Sequence, residues 1–258
     1  MLVNIFTFVI GSIVGSFLNV CISRLPNDES IISPASHCPH CKAKINWHDN
    51  IPLISYLLLR GKCRSCEGTI SIRYPIVELL TGLFFLLTSF GVGTFLRLEY
   101  YFNLIFICGM IVAFFSDLET QIIPDQVIYL TIPASLIYNL LTGNIFGAIY
   151  GALLGFSILY LVQKAGTFVF KKDALGGGDI KLAALFGAHL LWQGMLLSLF
   201  LGYLIGSIQA LILLALKIKK LDDYIPFGPA LCSGALIVLF FGNKLISMYF
   251  NLMIYGTL

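Results

Sequence analysis

The chain has 258 residues, of which 58% are hydrophobic and only 11% charged, with a formal net charge of +3 and a mean hydropathy of +0.91. Soluble domains carry about 25% charged residues, so this composition excludes that class and describes a polytopic membrane protein. The small positive excess is no evidence for nucleic-acid binding, because its distribution follows membrane topology.

In chain order, apolar runs of roughly 18 or more residues mark spanning helices. About eight transmembrane helices are predicted, near 3–22, 76–96, 100–116, 126–142, 144–163, 180–193, 195–216 and 229–254, the sixth being short. The first run, LVNIFTFVIGSIVGSFLNVC, has no basic residue before it and no A-x-A-like site after it. It therefore reads as a retained helix rather than a cleaved signal peptide. Continuous apolar runs, in place of alternating ones, argue against a transmembrane barrel. With the amino terminus outside, fourteen of the sixteen Lys and Arg residues fall on the inner side, leaving Arg97 and Lys244 outside. That bias is the one cytoplasmic loops show.

Between Arg24 and Arg73 the chain turns polar and holds four of its seven cysteines. CPHC (Cys38, Cys41) and CRSC (Cys63, Cys66) are separated by 21 residues, close to zinc-ribbon spacing. Each C-x-x-C offers two thiolates to one tetrahedral ion, and a reducing inner compartment disfavours the competing reading of two disulfides. Four thiolates close the coordination shell, so a structural Zn2+ is expected. His37 and His40 read as surface residues. Cys21, Cys108 and Cys232, in or beside apolar helices, read as small buried hydrophobes. The expected fold is an all-α polytopic membrane protein with a small cytoplasmic zinc-ribbon-like insertion. Its parts are a first transmembrane helix over 1–23, the four-cysteine insertion over 24–75 and a helical membrane domain over 76–258.

Three acidic residues, Glu78, Asp117 and Asp179, border or enter apolar runs, where an ionised carboxyl costs ~2.5–3.5 kcal/mol at the centre of a span and usually marks function. Asp117 ends the third span and Asp179 begins the sixth, so the predicted topology puts both at the cytoplasmic end, 62 residues apart in sequence. Two carboxyls that meet share one proton. One then takes a proton from water while the other polarises a peptide carbonyl and later protonates the leaving nitrogen. Gly176, Gly177 and Gly178 precede Asp179 and are expected to use positive φ to let a substrate strand approach. Taken singly, Asp179 also fits a helix N-cap and Asp117 a headgroup-wetted interfacial residue. Asp125 reads as a cap for the next helix, since Pro124 interrupts the backbone before it. Glu78 reads equally as a partner of Arg73 or as part of a binding pocket.

GSFLNVCISRLP (15–26), the double CxxC, RYPIVELLTG (73–82), DLETQIIPD (117–125), GGGD (176–179) and IPFGP (225–229) together resemble the type IV prepilin peptidases of bacteria, GxGD-class membrane aspartic proteases. ALGGGD departs from the commoner MGxGD in the residue before the first glycine. The resemblance implies that Asp117 and Asp179 cut the basic leader of prepilins or pseudopilins at the cytoplasmic face of the inner membrane. It further implies N-methylation of the new amino terminus with S-adenosylmethionine, for which the chain carries no Rossmann-type glycine fingerprint. Two other classes compete: a transporter or proton relay using Asp117 and Asp179, and a membrane anchor whose zinc ribbon binds a partner. A transporter calls for acidic residues at the midplane, and the apolar cores hold none. Membrane lipid is an expected partner, nucleic acid is not, and no motif bears on oligomeric state.

Overall fold

A computed structural model describes residues 2–92, 97–171, 175–220 and 225–255. Residues 93–96, at the end of the second predicted span, and Lys172, one of the basic residues used for orientation, lie outside them. The regular elements among the described residues are helical: α1 Leu2–Arg24, α2 Ile54–Leu58, α3 Arg73–Val92, α4 Leu98–Thr120, α5 Asp125–Leu141, α6 Ile145–Phe170, α7 Gly177–Ala215 and α8 Gly228–Tyr255. Six of these are long and apolar enough to cross a membrane, namely α1, α3, α4, α6, α7 and α8. With only 17 residues, α5 is shorter. The chain divides into two compact units, 1–112 and 113–258.

In the first unit, α1 and α3 run antiparallel and cross through small residues. A Cβ at Gly11 would lie 2.8 Å from Gly82 Cα, and one at Gly15 would lie 2.8 Å from Glu78 Cα. Within a membrane such close backbone approach is a main source of helix association. Farther along the pair, Asn19 Nδ2 donates to Tyr74 O at 3.1 Å. The polar insertion between these helices contains α2 and a 3-10 turn, Trp47–Asn50. Arg64 grips Asp49 bidentately, with Nε to Oδ2 at 2.9 Å and Nη2 to Oδ1 at 2.6 Å. Those hydrogen bonds hold the Asp49 carboxyl below the usual carboxylate range.

In the second unit, α7 contains the boundary between the sixth and seventh predicted spans. As a straight rod its 39 residues would extend about 58 Å, nearly twice the ~30 Å hydrocarbon core. Leu191, at φ 60° and ψ −179°, interrupts it. A Cβ at Gly155 of α6 would meet Ala183 O at 2.4 Å and Met195 Cγ at 3.3 Å. Ala183 and Met195 would be about 18 Å apart along one straight helix, so the halves of α7 fold back on each other. The sixth and seventh predicted spans are these halves, joined at one residue with no intervening loop.

Breaking a helix inside lipid orphans carbonyls, and α5 supplies what the break removes. Asn139 Nδ2 donates to Ala188 O at 2.9 Å, the carbonyl that continuous helix would pair with Trp192 N–H. Ser135 Oγ donates to Thr131 O at 2.8 Å, so it accepts from His189 Nδ1 at 3.0 Å. The buried row Thr131, Ser135 and Asn139, spaced four apart on α5, is thus a structural clamp.

Candidate active site and metal centre

Asp117 lies in the last turn of α4, after an unbroken apolar run, and Asp179 is the third residue of α7. Both are 4% exposed. The charge of Asp117 acts on Asp179, and both act on Cys232 of α8, so the two carboxyls converge on one locus. Tyr203, from the returning half of α7, also feels Asp179, and its ring packs on Phe227 with centroids 4.9 Å apart. That meeting depends on the fold-back at Leu191, which brings residue 203 to the level of residue 179.

The Asp117 carboxyl is held by α8. Gly228 N–H donates to Asp117 Oδ2 at 2.9 Å, so an acid from α4 caps the positive end of α8. A Cβ on Gly228 would fall 2.7 Å from Oδ2 and 2.9 Å from Cγ; only glycine admits the carboxyl. Sequence reasoning read IPFGP as punctuation and as part of a motif, without giving Gly228 a role. A Gly-Pro pair opening an apolar helix was the available signal.

The glycines before Asp179 work differently from expectation. Gly176 caps α7 in an extended conformation, φ −68° and ψ 145°, and Gly177 and Gly178 are its first helical residues. None of the three has positive φ, because a helix start needs ordinary backbone angles. A Cβ at Gly177 would meet nothing within 4 Å, whereas one at Gly178 would press on Ile123 at 3.0 Å. Asp179 is not the N-cap; from the third helical position its carboxyl reaches back towards the Gly176 N–H, as the acid of a capping box does.

Asp125 also differs from its reading as a cap. Pro124 is the N-cap of α5, Asp125 is the first helical residue, and its carboxylate pairs with Lys181 Nζ of α7. Glu78, in the first unit, accepts the Leu53 N–H at 2.8 Å and a hydrogen bond from Ser16.

The four insertion cysteines come together as their spacing implies. Each C-x-x-C forms a knuckle: Cys38 N–H donates to Ala43 O and Cys63 N–H to Gly68 O, with bridges His37 to Lys44 and Lys62 to Thr69. Lys42 and Glu67, each following the second cysteine of its pair, take matching left-handed angles, φ 60° and 56°. All four Sγ atoms lie within 4.8 Å of one another, and Cys38 and Cys66 are 3.9 Å apart. An ion bound tetrahedrally at ~2.3 Å needs edges of about 3.8 Å, so the cluster fits one metal. The Cys41 N–H is the main influence that takes the Cys38 thiol down to about 6. At Cys66 the Gly68 N–H acts downward, but desolvation and the other three thiols raise it to about 12. Four thiols this close ionise together only around a cation. His37 and His40 are not part of the cluster.

Two family models match the chain: the bacterial Peptidase A24 N-terminal domain over residues 9–92 and the type IV leader peptidase family over residues 104–211. A protein of Aeromonas hydrophila named prepilin leader peptidase/N-methyltransferase is 34% identical over 273 residues, covering 94% of this chain and 92% of its own. The chain belongs to the type IV leader peptidase family. A Legionella pneumophila member of the same name is 36% identical, with 92% and 90% covered. One from Myxococcus xanthus is 39% identical over 81% of this chain, which spans 63% of that relative's length. No solved structure matches at a significant level.

Proposed function

We propose that this chain is a membrane aspartic endopeptidase that removes the basic leader of type IV prepilins or pseudopilins, with Asp117 and Asp179 as its catalytic pair, and that it then methylates the new amino terminus. The reading rests on one observation: buried carboxyls from two helix ends lie within range of each other's charge in a chain of the leader peptidase family. One carboxylate takes a proton from water as its oxygen adds to the scissile carbonyl. The protonated partner donates to the carbonyl oxygen, and that proton passes to the departing nitrogen as the C–N bond breaks. Gly228 N–H keeps the Asp117 carboxyl turned to its task. The open side of Gly177 leaves room for an extended substrate strand, the role we assign to residues 176–178. We place the pair and the insertion on the cytoplasmic side, supported by the bias of basic residues.

Mass spectrometry of a synthetic prepilin incubated with the purified protein and S-adenosylmethionine tests both steps. Leader loss plus one methyl increment is expected, and an intact prepilin overturns the reading. S-adenosylmethionine, the donor the resemblance implies, supplies an electrophilic methyl group when bound. Among the described residues there is no parallel sheet, so they hold no dinucleotide-type glycine cradle for it. Gly228→Ala is expected to lower cleavage on the order of 10²-fold, the scale set by a displaced catalytic group, with membrane insertion unchanged. Rates equal to those of the unaltered protein would remove Gly228 from the mechanism.

Zinc is the ion we assign to Cys38, Cys41, Cys63 and Cys66, as a closed site that serves folding and not chemistry. Elemental analysis should find about one zinc per chain. Chelation should expose residues 36–70 to protease while the helical circular-dichroism signal persists, because the membrane helices do not depend on the metal. Oxidised thiols and no metal would refute the assignment.

A further inference from the structure

We propose that the segment from Trp47 to Leu58, comprising the 3-10 turn and α2, is a re-entrant patch that dips its apolar side chains into one lipid leaflet, while the Asp49–Arg64 pair and the metal centre of the same insertion stay on the aqueous side. The observation that carries this is the depth at which Leu53 is held. Its N–H donates to Glu78 Oε2 at 2.8 Å. Glu78 is five residues into α3 and packs beside Gly15 and Ser16, eight or nine residues before the end of α1. At 1.5 Å per residue, the Glu78 backbone lies ~8–13 Å inside the ends of two membrane-crossing helices, and its side chain, leaning toward the start of α3, meets Leu53 between that level and the helix ends.

The surface of this segment presents large apolar side chains, with exposed His48 and Asn50 only in the 3-10 turn that faces the Arg64 side. Trp47 is 81% exposed, Ile54 55%, Leu57 73% and Leu58 77%. Water-facing loops do not display four such side chains together, and a patch of this kind marks a binding surface. Lipid is the occupant the geometry favours. Near the level of Glu78, Ile76, Leu79 and Leu83 of the membrane-crossing α3 are exposed as well. Tryptophan is a residue of the membrane interface. Arg60 and Lys62, both exposed, follow directly after α2, where ammonium and guanidinium groups meet lipid phosphates.

The backbone of this segment is prepared for an apolar medium. Leu53 has φ 63°, a conformation that leaves its N–H outside the short helix, and Glu78 takes that donor. Ser55 sends both its N–H, at 3.0 Å, and its hydroxyl, at 2.6 Å, to Ile51 O. Irregular backbone at membrane depth is tolerated only where its polar groups find such partners. Glu78 is thus a positioning residue that sets how deep the insertion rides.

Trp47 and Trp192 are the two tryptophans, so Trp192→Phe in vesicles of phosphatidylcholine and phosphatidylglycerol isolates Trp47. Lipids brominated on their acyl chains are expected to quench its fluorescence by about half, and acrylamide only weakly, as for interfacial tryptophans. Should Trp192→Phe misassemble, Trp47→Phe measured against the unaltered protein reports the same side chain by difference. Glu78→Leu, which removes the acceptor of the Leu53 N–H, is expected to reduce bromolipid quenching and increase acrylamide quenching with metal content unchanged. Strong acrylamide quenching without bromolipid quenching overturns the proposal. Protection lost on dilution to one chain per vesicle would assign the face to a second copy. Protection that appears only with added prepilin would assign it to the substrate. Either result overturns it too.

Discussion

Asp117→Asn and Asp179→Asn are each expected to stop leader removal, lowering it by on the order of 10²–10⁴-fold, the contribution of a positioned acid or base. The amide preserves the shape of the carboxyl but neither takes a proton from water nor gives one to nitrogen. Because the pair works as a unit, the double variant should be no worse than either single one. Immunoblots of prepilin in membranes carrying each variant read the mobility change on leader loss, and detection of the variant itself in the membrane fraction controls for assembly. Normal cleavage by either variant removes the proposed mechanism.

Gly187→Leu is expected to have the largest effect on the fold. A Cβ at Gly187 would lie 2.0 Å from Gly151 O and 2.1 Å from Gly151 C, and backbone cannot swing aside as a side chain can. Gly147, Gly151 and Gly155 recur every fourth residue along α6, so one glycine face receives α7 through Ala183 and Gly187. In lipid, where no hydrophobic effect drives helices together, such contact is much of what holds them. Overpacking here should cost ~3 kcal/mol or more, read as a lowered thermal midpoint in detergent together with lost cleavage. Gly177→Ala is the control for the thermal midpoint alone: its Cβ meets nothing, and exchanging glycine for alanine inside a helix tends to stabilise by ~0.5–1 kcal/mol. A Gly187→Leu protein as stable as the control would disprove the crossing.

Much of this protein could be read from its sequence because lipid leaves few options. A backbone in hydrocarbon must satisfy its own hydrogen bonds, so apolar runs become helices, and the predicted spans fall close to α1, α3, α4, α5, α6 and α8. The cysteine spacing worked for a similar reason, since C-x-x-C closes a knuckle through local hydrogen bonds. Asp117 and Asp179 stood out because carboxyls bordering apolar runs are costly.

What sequence could not supply was contact between distant segments. The split into a sixth and a seventh span was legible, but its place at Leu191 and the direct fold-back without a loop come from packing of α6 against both halves of α7. Asp125 was legible as a residue at a helix start, but its partner Lys181 lies 56 positions away. The glycines before Asp179 suggested unusual φ, whereas their backbone is ordinary and what matters is the missing Cβ. Composition and hydropathy, acting through burial in lipid, determined by themselves the membrane class, the helices and the candidate acids. Tertiary structure decided which of those side chains meet, that Gly228 holds Asp117, and how deep Glu78 sets the insertion, because these depend on close approach between residues that no local pattern links.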